Sequence, residues 1–141
     1  MSTPPETSLS RTRAAELLRA QGINPTQQRT EIAAFLLGTA RHVCADTLLA
    51  WVNQRGGRVS KATIYNTLRL FAEHGLLREV IVEPTKTFYD SNTGPHHHFF
   101  DADKGELTDI APEDIILGKL PTPPSGSRID GVDVVVRVSK K

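Results

Sequence analysis

Apolar residues recur at helical spacing through the first half of the chain and at strand spacing through the second. In 9-LSRTRAAELLRA-20, Ala14, Leu17 and Leu18 fall on adjacent turns, and Gly22 stands where a helix ends. The segment 24-NPTQQRTEIAAFLLG-38 starts at Pro25 or Thr26, puts Ile32, Phe35 and Leu36 at i, i+3, i+4, and stops at Gly38. A third helix is predicted over 45-ADTLLAWVNQR-55, with Leu48, Leu49 and Val52 on one side and Gly56-Gly57 closing it. The fourth, 61-KATIYNTLRLFAEHG-75, has Ser60 as cap and Gly75 as terminator. Its Ile64, Leu68 and Phe71 at i, i+4, i+7 must face a core. That leaves Tyr65, Asn66 and Arg69 on another face, with Lys61 and Thr63 near the first turn and only Glu73 opposing them in charge.

After Leu77 the period changes. The segments 78-REVIVE-83 and 87-TFYD-90, joined by Pro84-Thr85-Lys86, read as strand, turn and strand. Helices followed by a β-hairpin are the order of a winged helix-turn-helix, whose last helix before the wing reads the major groove. The segment 96-HHHFFD-101, the turn 102-ADKG-105 and the strand 106-ELTDI-110 form a second hairpin. A short helix is expected over 113-EDIILGKL-120, a bend at 121-PTPPSG-126, and a strand over 132-VDVVVRV-138. The expected fold is α+β: an arm over residues 1–8 without fixed structure, a winged-helix domain over 9–90, and a small α/β domain over 91–141. A rear piece of this size sits near the lower limit for a self-sufficient core, and valines on both faces of its last strand call for a second subunit.

Composition sharpens the division between halves. Residues 1–83 hold ten Lys/Arg against seven Asp/Glu, and residues 84–141 hold seven against nine. A basic front and an acidic rear suit polyanion binding in front and cation binding behind. No apolar run is long enough to cross a membrane and the N-terminus has no secretory core, so a cytoplasmic protein without a membrane partner is expected. The single cysteine, Cys44, cannot form an intramolecular disulfide or a thiolate zinc knuckle, and reads as a small buried hydrophobe.

Three adjacent histidines need an explanation, because neighbouring imidazoles that charge together repel one another. On an extended strand His96 and His98 project together and His97 oppositely. Two imidazoles at i, i+2 offer half of a transition-metal shell, and His42, Asp90 and Asp109 are candidates for the rest. Such an oxygen and nitrogen set suits Fe(II), Mn(II) or Zn(II) and argues against Cu(I) or an iron–sulfur cluster.

The motifs 26-TQQRTEI-32, 42-HVCADTL-48, 61-KATIYNTLRLF-71, 86-KTFYD-90 and 96-HHHFFDADKGELTDI-110 together resemble the ferric uptake regulator family of metal-sensing transcription factors. The triple histidine and the ending RIDGVDVVVRV look most like its haem-responsive iron response regulator branch. The resemblance implies a winged-helix reader joined to a dimerising domain, with a regulatory metal held by His42, Asp90, His96, His98 and Asp109. It also implies haem contact at His96, His97 and His98, although the cysteine–proline contact of some members is replaced here by Cys44-Ala45. Where many members begin a paired CxxC structural zinc site this chain has Asp101-Ala102-Asp103-Lys104, so that zinc is expected to be absent.

The implied function is a non-enzymatic, metal- or haem-responsive regulator of iron homeostasis, a homodimer on a palindromic operator in double-stranded DNA. Phosphate contacts would come from Arg13, Arg19, Arg29 and Lys61. Base reading would come from Tyr65 on thymine methyls, Asn66 on adenine and Arg69 on guanine, with Thr63 close by. Two alternatives stay open. One is a winged-helix regulator that ignores metal. The other is a metal-dependent hydrolase, disfavoured because no glutamate adjoins a histidine motif to act as general base.

Overall fold

The computed structural model describes residues 4–141, and the chain divides into a front unit ending at Thr93 and a rear unit running from Gly94 to Lys141. Of the segment expected as an arm, residues 1–3 lie outside the described residues. Pro5 and Glu6 accept hydrogen bonds from Arg55 and Arg41, and the Ser8 amide donates to the Ala34 carbonyl at 2.7 Å.

The front unit contains α1 (Arg11–Ala20), α2 (Gln27–Leu36), β1 (His42–Cys44), α3 (Ala45–Gln54), α4 (Lys61–Glu73), β2 (Arg78–Glu83) and β3 (Lys86–Asp90). Three helices start on a hydroxyl that accepts an otherwise unpaired amide: Ser10 from Arg13, Thr26 from Arg29, and Ser60 from Thr63. α1 and α4 end alike, on Gly22 (φ 75°) and Gly75 (φ 73°), where a side chain would be strained. The next residue in each case, Ile23 or Leu76, sends its amide back five residues, to Leu18 and Phe71 respectively.

The apolar stripes meet in one core in which Leu18, Ile32, Leu36, Leu48, Ile64, Leu68 and Phe71 are wholly buried. Burial of each such side chain contributes about 1.5–3 kcal/mol, so the inner face of α4 is firmly seated and its outer face is held in a fixed orientation. Asn53 sets the entry of α4: its side chain accepts from the Val59 amide at 3.2 Å and donates to the Val59 carbonyl.

The front sheet has the order β1-β3-β2, antiparallel throughout. Strand β1 is an addition to the sequence reading, which took His42 only as the residue preceding the third helix. It pairs with β3 so that His42 lies opposite Asp90 and Cys44 opposite Phe88.

The rear unit is built on β4 (His97–Asp101), flanked by antiparallel β5 (Glu106–Ile110) and parallel β6 (Val135–Val138). The β4–β5 turn is closed by the Asp101 carboxylate, which accepts from the amides of Asp103 and Lys104 at 3.0 Å each. Phe100, Leu107 and Ile110 are its buried apolar residues.

Two expectations are corrected in this unit. In place of a helix over 113–120 there is a single 3-10 turn, Pro112–Asp114, and Ile116 is 94% exposed. A short helix is marginal unless an apolar face is buried, and Gly118 further weakens this one. The last strand is shorter than 132–138, because regular pairing with β4 begins at Val135 opposite His98. Among the described residues no helix is long and apolar enough to cross a membrane.

Candidate functional site

The rear unit gathers His96, His98 and Asp109. Hairpin register places Asp109 directly opposite His98, so both side chains leave the same face. His96, two residues before His98, joins them from the end of the strand. Asp109 Oδ1 stands 3.4 Å from His98 Nε2 and 3.7 Å from His96 Nε2, and the two rings lie 4.5 Å apart between centroids. The candidate donor atoms of the three lie within 4.8 Å of one another.

These separations fit a shared ion better than simple hydrogen bonding. Donors about 2.0–2.2 Å from a common ion stand about 2.8–3.6 Å apart, from right-angle shells at the short end to tetrahedral shells at the long end. The His98 distance falls inside that range, and the His96 distance is close to its upper end. Protonation supports the same reading. His96 Nδ1 lies 2.8 Å from the Gly94 carbonyl, which can only accept, so Nδ1 carries the proton and a neutral ring leaves its Nε2 lone pair toward Asp109. A backbone carbonyl fixing the tautomer in this way is the usual companion of a metal-bound imidazole. Both rings are buried, at 5% and 1% exposure, which limits competition from water.

His97 has a different occupation. Its Nδ1 accepts the Val134 amide at 3.1 Å, joining the start of β4 to the chain entering β6. A neutral ring accepting at Nδ1 carries its proton on Nε2 and has no lone pair left there for iron. The opposed projection expected of His97 thus corresponds to a structural link in the rear sheet.

In the front unit, His42 and Asp90 face each other across β1 and β3. Asp90 is 1% exposed, and its carboxylate accepts the Asn92 amide at 2.9 Å. The His42 ring meets Phe88 edge to face at 6.4 Å, which restrains its orientation. Cys44 caps α3 without a capping hydrogen bond and lies 3.2 Å from the Thr47 hydroxyl; it is partly exposed, contrary to the expected full burial.

The front unit also carries an open groove of about 420 Å³ between α4 and the start of α2. Arg29, Thr63, Asn66 and Arg69 line it together. Gln28 and Thr67 line it as well, though sequence reasoning did not single them out. The motif TQQRTEI held the signal for Gln28, because it places that residue in the first turn of α2.

Tyr65, 39% exposed, and Lys61 form a neighbouring patch, the ammonium 5.9 Å from the ring centre. Behind this face burial pushes the Tyr89 hydroxyl above its ordinary pKa, and the nearby Glu79 adds to the shift. Arg13 and Arg19 lie on α1, outside the groove: Arg19 lines a separate cleft with Gln27, and Arg13 is 3.8 Å from Glu16.

Comparison with known proteins agrees with this architecture. The model of the ferric uptake regulator family matches residues 20–120. The peroxide-responsive repressor of Staphylococcus epidermidis is 32% identical over 93 residues, which are 66% of this chain and 62% of that protein. The peroxide operon regulator of Bacillus subtilis is 31% identical over 97 residues, 69% of this chain and 67% of that protein. The chain therefore spans about two thirds or less of the length of these curated relatives.

Among solved structures, the ferric uptake regulator of Pseudomonas aeruginosa with manganese superposes with a TM-score of 0.64 at 23% identity, covering 91% of this chain and 98% of that one. The Vibrio cholerae regulator gives 0.69 at 17% identity, covering 89% and 98%. At these identities the structural likeness establishes the fold. With the family model matched across most of its length and relatives above thirty per cent identity, the chain belongs to the ferric uptake regulator family.

Proposed function

We propose that the chain is a metal-responsive DNA-binding regulator of transcription, cytoplasmic and dimeric, that couples a divalent ion to occupancy of a palindromic operator. The observation that carries the proposal is the trio His96, His98 and Asp109, set at ion-sharing separations with the His96 tautomer fixed by Gly94. His42 and Asp90, opposed across two strands of the front unit, are proposed to complete the shell. Fe(II), Mn(II) and Zn(II) suit this oxygen and nitrogen set. Proteins of similar fold have been solved with manganese, iron or zinc.

In this reading the winged-helix unit, residues 9–90, holds the DNA and the rear unit pairs with a second copy. Arg29, Thr63, Asn66 and Arg69 work from one groove, and Lys61 and Tyr65 from the adjoining patch. Arg13 and Arg19 extend the phosphate contacts along α1. The change in DNA affinity that an ion can produce equals its preference for the DNA-binding state of the protein.

Iron homeostasis is the proposed output. The named relatives are a peroxide-responsive repressor and a peroxide operon regulator, and peroxide is an input that a site loaded with iron could also sense. Haem is the second reading, motivated by the His96-His97-His98 run. The burial of all three rings and the engagement of His97 with Val134 favour the bare ion over the porphyrin.

The test is selection of an operator from random duplexes by the purified protein, followed by fluorescence anisotropy with and without Mn(II), Fe(II), Zn(II) or haem. An ion is expected to shift operator affinity by about 5–150-fold, the range of ordinary allosteric coupling. Sequence-specific binding indifferent to all four ligands would favour a metal-blind regulator. A shift produced by haem alone would favour the haem branch.

A further inference from the structure

A cation on the outward face of α4 is already engaged. Lys61, the first residue of the helix, places its ammonium 3.4 Å from a carboxylate oxygen of Asp46 and 5.9 Å from the centre of the Tyr65 ring. Asp46 belongs to the first turn of α3, where the helix dipole favours an acidic residue. Both partners are well exposed, at 61% and 73% of their side-chain surface, so the pair is open to exchange with solvent ions. Contacts between exposed charges of this kind are weak and readily rearranged.

We propose that Asp46 is an internal competitor for DNA phosphate: it holds Lys61 across Tyr65 in the free protein and yields it when a backbone phosphate arrives. The inference rests on the reading of α4 as the DNA-binding helix. A phosphate taking Lys61 releases a condensed counterion, and the uncovered Asp46 carboxylate then gathers a cation of its own. The exchange weakens binding and flattens its dependence on salt. Asp46 thereby keeps the reading helix releasable, which suits a regulator that must leave its operator when the input falls.

A double-mutant cycle with full-length protein and the selected operator decides the matter. Asp46→Asn keeps the shape of the side chain and removes its charge. It is expected to tighten operator binding by about 1.4–5-fold, the strength of an exposed ion pair. It is also expected to steepen the slope of log affinity against log salt by up to about one unit. Lys61→Ala should weaken binding, and adding Asp46→Asn to it should change nothing further.

Circular dichroism confirms that each variant is folded. If Asp46→Asn tightens binding equally in the Lys61→Ala background, the effect is long-range charge and the competitor role is overturned. If it weakens binding when Lys61 is present, Asp46 positions the lysine and does not compete for it, which also overturns the proposal. A wild-type protein with no preference for any duplex would overturn the DNA-binding reading itself, an outcome seen before any variant is made.

Discussion

Replacing Asp109 by asparagine tests the proposed metal site with little disturbance to the fold. Asp109 is about half exposed and lies on an edge strand, so the substitution is expected to change the stability of the ion-free protein by less than about 0.5 kcal/mol. The amide oxygen can occupy the position 3.4 Å from His98 Nε2 and 3.7 Å from His96 Nε2 that the carboxylate oxygen holds now. What disappears is the only negative charge the rear unit contributes to the trio. Loss of an outer-shell partner typically lowers metal affinity by about 10–100-fold, and loss of a charged direct donor should reach at least the upper end of that range.

Asp109→Ala, which removes the donor as well as the charge, should be weaker still. Competition with a fluorescent chelator for Mn(II), alongside thermal melts of the ion-free proteins, measures both quantities. An Asp109→Asn affinity within about three-fold of wild type would show that the carboxylate merely neighbours two histidines, and the separations would lose their meaning as an edge of coordination.

Two further outcomes follow from the same geometry. His97→Ala should lower stability by about 1–3 kcal/mol in urea denaturation, because the Val134 amide loses its acceptor, while Mn(II) affinity stays within about three-fold. A collapse of Mn(II) binding with unchanged stability would reverse the roles assigned to His97 and His98. Tyr89 gives a pH signature. Its folded pKa is raised, so its contribution to stability is fully present below the ordinary tyrosine value of about 10.0 and is lost as pH rises through the folded value. Denaturant midpoints measured from neutral to strongly alkaline pH should therefore fall less for Tyr89→Phe than for wild type above that value, and coincident alkaline limbs would contradict the shift.

The helical half was readable because its punctuation is chemical and local. Ser10, Thr26 and Ser60 each reach an amide three residues ahead, and Gly22 and Gly75 each adopt a conformation that other residues resist. Strand β1 escaped notice because three residues that run straight into a helix have no period to detect, and their partners on β3 lie more than forty positions away. The rear segment 113–120 failed in the opposite direction. Ile115, Ile116, Leu117 and Leu120 supply enough apolar residues to suggest a helix, but Ile116, Leu117 and Leu120 are all exposed, so no buried face stabilises one.

At the site, the depth of the sequence reading follows the range of each interaction. Strand alternation alone pairs His96 with His98. Asp109 becomes their partner through the hairpin: a turn pairing Asp101 with Glu106 must set His98 against Asp109, so register converts a carboxylate chosen by type into one fixed by geometry. The Gly94 carbonyl that orients His96 could not be singled out, since every residue carries a carbonyl and only the local path of the chain aims this one. The link from Val134 to His97 crosses 37 positions and depends on β6 lying parallel to β4, which no local pattern encodes. Arginines show the same limit on the proposed DNA face: Arg13, Arg19, Arg29 and Arg69 are alike as letters, and only the packing of α2 against α4 gathers Arg29 and Arg69 into one groove. Chemistry within a few residues is therefore legible from composition and period, whereas chemistry between elements becomes legible when register or packing supplies the missing coordinate.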